Sequence, residues 1–203
     1  AARISYFELK DYSNAKKYFQ LLLQNGNNEE NKLEALRGLV RAYYQLKAYG
    51  DANEASKELL NRKGINNDDK SIAALVLGKS QEIKKDTLAA IESFKTVSAI
   101  NKSIWGAEAR YELAKCNFTL NNLPLAEKYA MSVIKETSTY DYWVTKSYIL
   151  LGDIFFKQKD YFNAKATYES VAKNTSIVEL KDEANEKLVL VELKDQESSK
   201  INN

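Results

Sequence analysis

The sequence predicts an all-α fold in which antiparallel helical hairpins stack into a solenoid, and three observations predict it. Apolar residues recur at the three- and four-residue spacing of helices along most of the chain. The 203 residues include only seven Gly and one Pro, and Ala, Leu, Lys and Glu, which favour helix, are abundant. One helical pattern also returns every 36 to 38 residues, a period that is typical of stacked repeats.

The clearest hairpin lies towards the C-terminal end of the chain. Its periodic positions are Tyr148, Leu151, Gly152 and Phe155 before the polar turn 157–160, and Tyr161, Ala164, Tyr168 and Val171 after it. We expect the small residues Gly152 and Ala164 where the two helices cross, and the large residues around that crossing.

Ala164 has counterparts throughout the chain. Including Ala164 itself, the equivalent alanines are Ala15, Ala52, Ala90, Ala126 and Ala164. In each case the residues four and seven positions later continue the same helical face. Successive alanines are 37, 38, 36 and 38 residues apart. A fixed period of this length predicts five hairpins.

The hairpins resemble the tetratricopeptide repeat, whose pattern is W-x2-L-G-x2-Y…A-x3-F. Tyr148, Phe155 and Tyr168 stand at the Trp, first Tyr and Phe positions of that pattern. The resemblance implies a right-handed superhelix whose first helices line a concave groove that receives peptides from partners. In the second repeat Val40 replaces the small Gly, which predicts a looser or shifted crossing, with the neighbouring Gly38 and Ala42 as candidates for compensation.

The register divides the chain into elements of one continuous solenoid. It predicts a truncated repeat one over 1–24, repeats two to five over 31–62, 70–100, 104–136 and 142–174, a capping helix over 177–194 and a frayed tail over 195–203. Asp11, Asp86, Asn122 and Asp160 each precede an anchor alanine by four residues, where we expect helix N-caps. Pro124 then falls in the first turn of its helix, where proline is tolerated.

The start of the chain is incomplete as a repeat. Ala2, Arg3 and Tyr6 fall on the Leu, Gly and Tyr positions of a first helix, so the beginning of that helix is missing. We therefore expect a fragment of a longer protein, or a processed form.

Composition argues against several functional classes. The 30 basic and 28 acidic residues give a net charge of +2, which predicts no general attraction to nucleic acid. The apolar runs fall far short of the roughly 20 residues that a membrane span needs. The chain has no His, the commonest general base and zinc ligand, and we expect its one cysteine, Cys116, to be a packed small residue. We predict no catalytic residue, no cofactor and no metal.

The remaining function is binding at the surface. Carried over from the family by register, the partner-binding groove positions are Arg37, Arg41, Tyr44, Lys79, Tyr111, Lys115, Phe118, Asp153 and Phe156. Because arginine suits carboxylates and aromatic rings are frequent interface anchors, these positions predict a protein or peptide partner with acidic and apolar side chains. The alternative for these residues is packing between adjacent repeats. The terminal-carboxylate clamp of chaperone-binding family members is not matched, because Arg37 and Arg41 lack a paired Asn.

Trp105 and Trp143 occupy one repeat position, 38 residues apart, just ahead of the predicted first helices of their hairpins. We expect each to wedge between a helix start and the preceding repeat. Exposed rings at this position would instead mark a second interaction surface.

Two other functions stay open beside a protein-interaction scaffold. The chain is alternatively a structural spacer that forms homo-oligomers through its N-terminal face, or an accessory domain of a larger enzyme or sensor. The period and the valines Val97, Val133 and Val171, which end second helices, resemble repeats of bacterial envelope proteins. That resemblance favours a bacterial cell envelope or periplasm, with the cytoplasm as the alternative.

Overall fold

The structure, a computed structural model, describes the backbone of residues 1–201 and the side chains of residues 1–197. These residues form α-helices and no strand, so the predicted all-α class is confirmed. The helices are α1 (Ala2–Phe7), α2 (Tyr12–Asn25), α3 (Glu29–Gln45), α4 (Tyr49–Leu60), α5 (Asn67–Ile83), α6 (Thr87–Ile100), α7 (Ile104–Thr119), α8 (Leu123–Glu136), α9 (Asp141–Lys157), α10 (Tyr161–Asn174) and α11 (Val178–Ile201).

The helices pack as hairpins in two compact units, Ala1–Asn101 and Lys102–Asn203. In the first unit α1/α2, α3/α4 and α5/α6 are hairpins, and α1, α3 and α5 also contact one another in sequence. In the second unit α7/α8 and α9/α10 are hairpins, α7 contacts α9, and α11 packs on α10 and α9. We call the first helix of each hairpin the A helix and the second the B helix. One solenoid through both units stays a prediction.

The five anchor alanines, one in each B helix, are fully buried. In two hairpins an A-helix glycine faces a B-helix ring: a Cβ on Gly78 would lie 2.6 Å from the ring of Phe94, and one on Gly152 would lie 2.4 Å from the ring of Tyr168. These glycines let the helices approach to ring contact. The small residue at the crossing, predicted from Gly152, is therefore observed.

Repeat two departs from this arrangement. Val40, which replaces the glycine, is fully buried, and the residue at the ring position of its B helix is the equally buried Ser56. A larger A-helix residue is thus paired in register with a smaller B-helix residue, which conserves volume at the crossing. Gly38 lies against the ring of Phe19 in the preceding B helix. It therefore makes room for a ring of the previous repeat and does not offset Val40 within its own hairpin.

The turn within every hairpin has the same backbone. The residue five positions before each anchor alanine has a positive φ between 51° and 63°, and these residues are Lys10, Lys47, Lys85, Asn121 and Lys159. The next residue begins the B helix as its N-cap, and in three hairpins it is an aspartate that accepts the amide three residues on: Asp11, Asp86 and Asp160. Asn122 also stands at this position, but its side chain forms no cap hydrogen bond, so the prediction of a capping contact is wrong there. Pro124, at the second position of that helix, lacks one of the amides that the asparagine would accept.

The last helix is longer than predicted. It begins at Val178 and continues to Ile201, so residues 195–201 of the predicted tail are helical, while Asn202 and Asn203 lie outside the described residues. Nowhere in residues 1–201 is there a helix with the length and apolar character that crossing a bilayer requires.

Candidate functional site

The candidate site is the surface of the A helices that carries the predicted partner-binding residues. We call it the inner surface, after the predicted groove. α3 and α5 carry Arg37, Arg41, Tyr44 and Lys79 in the first unit. α7 and α9 carry Tyr111, Lys115, Phe118, Asp153 and Phe156 in the second unit. Each unit brings its own residues together on adjacent A helices. A groove that runs through all nine stays a prediction.

Arg37 is tied to the neighbouring A helix. Its Nε and Nη2 donate to the two carboxylate oxygens of Asp69 at 2.6 and 2.7 Å, a bidentate pair. Asp69 is buried in the first turn of α5, where it forms a capping box with Asn66. The hydrogen bonds to Asp69 raise the pKa of Arg37. Because the guanidinium already has a carboxylate, Arg37 sets the spacing of α3 and α5.

Arg41 is different, although it lies only one helical turn further along α3. It is half-buried, and it forms no hydrogen bond or ion pair with any residue that the structure describes. Its charge faces Tyr6 of α1, whose pKa is raised by burial and lowered in part by a hydrogen bond with Gln45 and by the charge of Arg41. An arginine in this setting has its five donors available to a ligand.

An aromatic ring and a lysine lie beside Arg41. Lys79 Nζ of α5 stands 5.6 Å from the ring centre of Tyr44, a cation–π distance. The Tyr44 ring also packs edge-on against Tyr49, with centroids 6.1 Å apart. The inner surface of the first unit therefore presents a half-buried arginine, a lysine and tyrosine rings within three successive A helices.

In the second unit Tyr111 occupies the position that Arg37 has in the first. Its ring packs on Trp143 with centroids 5.4 Å apart, and Lys146 Nζ stands 5.5 Å from its centre. Tyr111 and Trp143 each lie 74 residues after Arg37 and Asp69, so an aromatic stack here replaces the ion pair at the same two repeat positions. Burial, and then the charge of Glu112, raise the pKa of Tyr111.

Trp143 therefore packs against the preceding repeat, as predicted. The predicted placement of Trp105 and Trp143 ahead of their helices is wrong, because both lie inside them, in α7 and α9. Trp143 also meets Tyr142 edge-on at 5.0 Å.

Asp153 is engaged from two sides. The hydroxyl of Tyr168 donates to its Oδ1 at 2.6 Å, and Lys187 Nζ of α11 lies 2.7 Å from the same oxygen. Burial, followed by the neighbouring charge of Asp153, raises the pKa of Tyr168. Asp153 thus joins α9, α10 and α11, a structural role within this surface.

The other positions of the second unit combine rings and lysines. Lys157 Nζ lies 4.7 Å from the ring centre of Phe118, and Phe156 packs beside Tyr161 with centroids 5.6 Å apart. Lys115 forms an ion pair with the buried carboxylate of Glu112. Cys116, predicted to be a packed small residue, is buried inside α7, which confirms that prediction.

Sequence reasoning missed Tyr6, Lys146, Lys157 and Lys187, which complete the surroundings of the predicted residues. The three lysines reach this surface from positions outside the pattern used for the prediction. Their spacing was a usable signal. Lys157 stands four residues after the predicted Asp153 on the same helix. Each of the three lysines also contacts a predicted residue of the preceding A helix.

A family model described as Tetratricopeptide repeat matches residues 4–25 and 146–174. None of the curated proteins matches the sequence.

Solved structures share the fold at low sequence identity. The crystal structure of MamA is 18% identical, with 94% of this chain and 92% of that chain covered and a TM-score of 0.61. The crystal structure of BtubC (BKLC) from P. vanneervenii is 15% identical, with 91% and 81% covered and a TM-score of 0.70. A thermophilic TPR protein from Thermus thermophilus is 18% identical, with 92% and 95% covered and a TM-score of 0.61. The two matched stretches, the recurring A/B hairpins and the shared fold agree: the chain has the fold of tetratricopeptide-repeat proteins and resembles that family.

Proposed function

We propose that the chain is a protein-interaction scaffold, not an enzyme, and that it binds an acidic, partly apolar peptide on the inner surface of its A helices. The observation that carries the proposal is Arg41, a half-buried cation with no hydrogen bond or ion pair among the described residues. A partly desolvated charge gains most from an opposite charge placed beside it, and a carboxylate matches the planar guanidinium.

The surroundings of Arg41 favour a peptide over a small anion. Lys79 adds a second positive charge, and the rings of Tyr6 and Tyr44 supply apolar contact area beside it. Aromatic rings next to a buried charge are the usual composition of binding hot spots. A peptide with a carboxylate flanked by apolar side chains satisfies both features.

In the second unit the same function would use three aromatic rings and one lysine, namely Tyr111, Phe118, Phe156 and Lys115. Arg37 and Asp153 belong to this surface as positioning residues, because their charges hold neighbouring helices. We expect their substitution to weaken binding only through the spacing of the helices.

The experiment is a capture from the source cell's lysate with three folded baits, followed by mass spectrometry. The baits are the native chain, Arg41→Gln and, as a matched control, Lys57→Gln on the B helix α4, where the Lys57 side chain is exposed and pairs with Glu54 of the same helix. We expect a partner that the native and Lys57→Gln baits capture and the Arg41→Gln bait loses. Equal capture by all three baits would place the binding site away from Arg41.

Oligomerisation is a second candidate, and exposed residues of α1 favour it. Ile4 and Phe7 are 57% and 53% exposed although they stand on an A helix. Sedimentation equilibrium of the native chain and of Phe7→Ser would test it. A concentration-dependent mass that the substitution abolishes is the expected result for this candidate, and a monomer at all concentrations contradicts it.

A further inference from the structure

The final helix presents an apolar face that no described residue covers. α11 buries Leu180, Ala184 and Val191 against α10, on one side of the helix. On its other side Val189, Leu190 and Leu193 are 56%, 57% and 53% exposed. These three residues lie within about one turn of one another, so they form a continuous apolar patch, which we call the α11 patch.

The position of the α11 patch in the repeat indicates what kind of element it accepts. Val189 follows Gly152 by 37 residues, one repeat, and Gly152 is the A-helix residue that a B-helix ring contacts. In α9 that side is covered by the antiparallel helix α10. The side of α11 that carries Val189 is therefore shaped like a surface on which a helix packs.

The charge around the patch is acidic. Asp182 and Glu186 lie two turns and one turn before Val189 on the same side, both are exposed, and neither forms a hydrogen bond or an ion pair with a described residue. On the other side of the patch Lys194 is paired with Glu197 at 2.7 Å. Free acidic charge at the rim attracts basic groups and repels acidic ones.

Size and charge select among occupants. The three side chains form a patch about as wide as one helix. Its area is far below the roughly 800 Å² per partner of a standard stable interface, so the patch alone does not hold a stable dimer of two whole chains. A second copy of this chain placed patch to patch would also bring two acidic rims together, which opposes self-pairing.

We propose that the α11 patch docks an amphipathic helix of a partner protein, with apolar side chains at three- and four-residue spacing and lysine or arginine on its flanks. The apolar stripe covers Val189, Leu190 and Leu193, and the basic flank meets Asp182 and Glu186. Recognition of this kind is the helix-in-groove mode. It is separate from the inner-surface site around Arg41 and does not depend on it, because the required charges are opposite.

The test uses the full chain and a labelled peptide of about 16 residues, long enough for four helical turns, with Leu on one face and Lys on its flanks. One control peptide has the same composition with the leucines dispersed around the helix, and a second replaces each Lys by Glu. Fluorescence anisotropy measures affinity. We expect saturable binding of the first peptide, at least about tenfold weaker binding of both controls, and a fall in affinity with added salt.

Variants of the chain locate the binding. Leu190→Ala/Leu193→Ala should weaken binding by about tenfold or more, and Asp182→Asn/Glu186→Gln should weaken it severalfold and flatten its salt dependence. The matched control is Leu88→Ala in α6, where the leucine is 70% exposed, and it should leave the affinity unchanged. All of these side chains are exposed, so the variants retain the fold, which circular dichroism verifies.

Four results would overturn the proposal. They are no saturable binding of the Leu/Lys peptide, equal binding of either control peptide, unchanged affinity in Leu190→Ala/Leu193→Ala, and self-association of the native chain that this double substitution abolishes. The last result, seen by sedimentation equilibrium, would assign the α11 patch to a second copy.

Discussion

The contact between Gly152 and Tyr168 gives the sharpest test of how a hairpin is held together. A Cβ at position 152 would lie 2.4, 2.7 and 2.9 Å from three atoms of the Tyr168 ring, where ordinary contacts are near about 3.5 Å or more. The ring has little freedom to withdraw, because its hydroxyl donates to Asp153 at 2.6 Å and Lys187 holds the same carboxylate. We therefore predict that Gly152→Ala destabilises the chain.

The magnitude follows from two opposing effects. Overpacking of a filled core costs about 1–3 kcal/mol, and displacement of the tyrosine hydroxyl from a carboxylate adds about 1.5–3 kcal/mol when the bond is lost. Alanine in place of glycine returns about 1 kcal/mol of helix propensity. With the hydrogen bond lost, the expected net loss in the free energy of unfolding is about 1.5–5 kcal/mol.

Gly50→Ala is the matched control. Gly50 lies in the first turn of α4 and a Cβ there has nothing within 4 Å, so this substitution should stabilise by about 0.5–1 kcal/mol. Urea unfolding followed by circular dichroism of the helical signal measures both. Equal stability of Gly152→Ala and Gly50→Ala would show that the Tyr168 ring does not constrain position 152. A further check is Gly152→Ala combined with Tyr168→Leu, whose joint cost should be less than the sum of the single costs because the smaller side chain makes room.

Three other predictions, one of them with a control variant, test individual features of the fold and surface. Ser56→Ala should leave thermal stability unchanged or raise it by up to about 1 kcal/mol, because the buried hydroxyl has no hydrogen-bond partner among the described residues. Asp160→Ala should lower the urea midpoint at neutral pH, whereas Asn122→Ala, which removes no cap hydrogen bond, should leave it unchanged. Hydrogen bonds from the side chain and the backbone amide of Asn163 lower the pKa of Asp160. The stabilisation by Asp160 is therefore complete above the ordinary carboxyl pKa of about 4, and it is lost as the pH falls through the lowered pKa. The urea midpoints of the native chain and Asp160→Ala should converge in acid. Arg37→Gln should lower the free energy of unfolding by about 2–3 kcal/mol, because it leaves the buried carboxylate of Asp69 without its bidentate partner. A loss below about 1 kcal/mol would mean that the pair contributes no more than an exposed salt bridge does.

The repeat period accounts for what the sequence could predict. Because Ala164 and its counterparts return at a nearly fixed step, the hairpin crossings, the buried alanines and the packing of Trp143 on the preceding repeat all follow from one register. The same step places the three aspartate caps at the starts of B helices. These features repeat, and a repeated feature is visible in a single sequence.

Partners between neighbouring A helices were not predictable in this way. Arg37 meets Asp69 between different positions of successive repeats, and periodicity alone does not reveal such an offset. For Trp143 the register predicts a contact with the preceding repeat, but it does not identify Tyr111 as the residue contacted. The sequence therefore predicts Arg37 and Arg41 as equivalent groove cations. In the structure Arg37 pairs with the buried carboxylate of Asp69, whereas Arg41 pairs with no described carboxylate. The end of α11 was also missed, because the charged residues after Leu193 continue the helix without a stop signal.

We propose that a partner binds at Arg41, on the inner surface of the A helices. Nuclear magnetic resonance of the isotope-labelled chain, titrated with a peptide in which Glu alternates with Leu, tests this proposal. We predict that the largest shift changes fall on Tyr6, Arg41 and Tyr44 and that Arg41→Gln removes them, while Lys57→Gln leaves them in place. Shift changes confined to the B helices, or unchanged in Arg41→Gln, would contradict the claim.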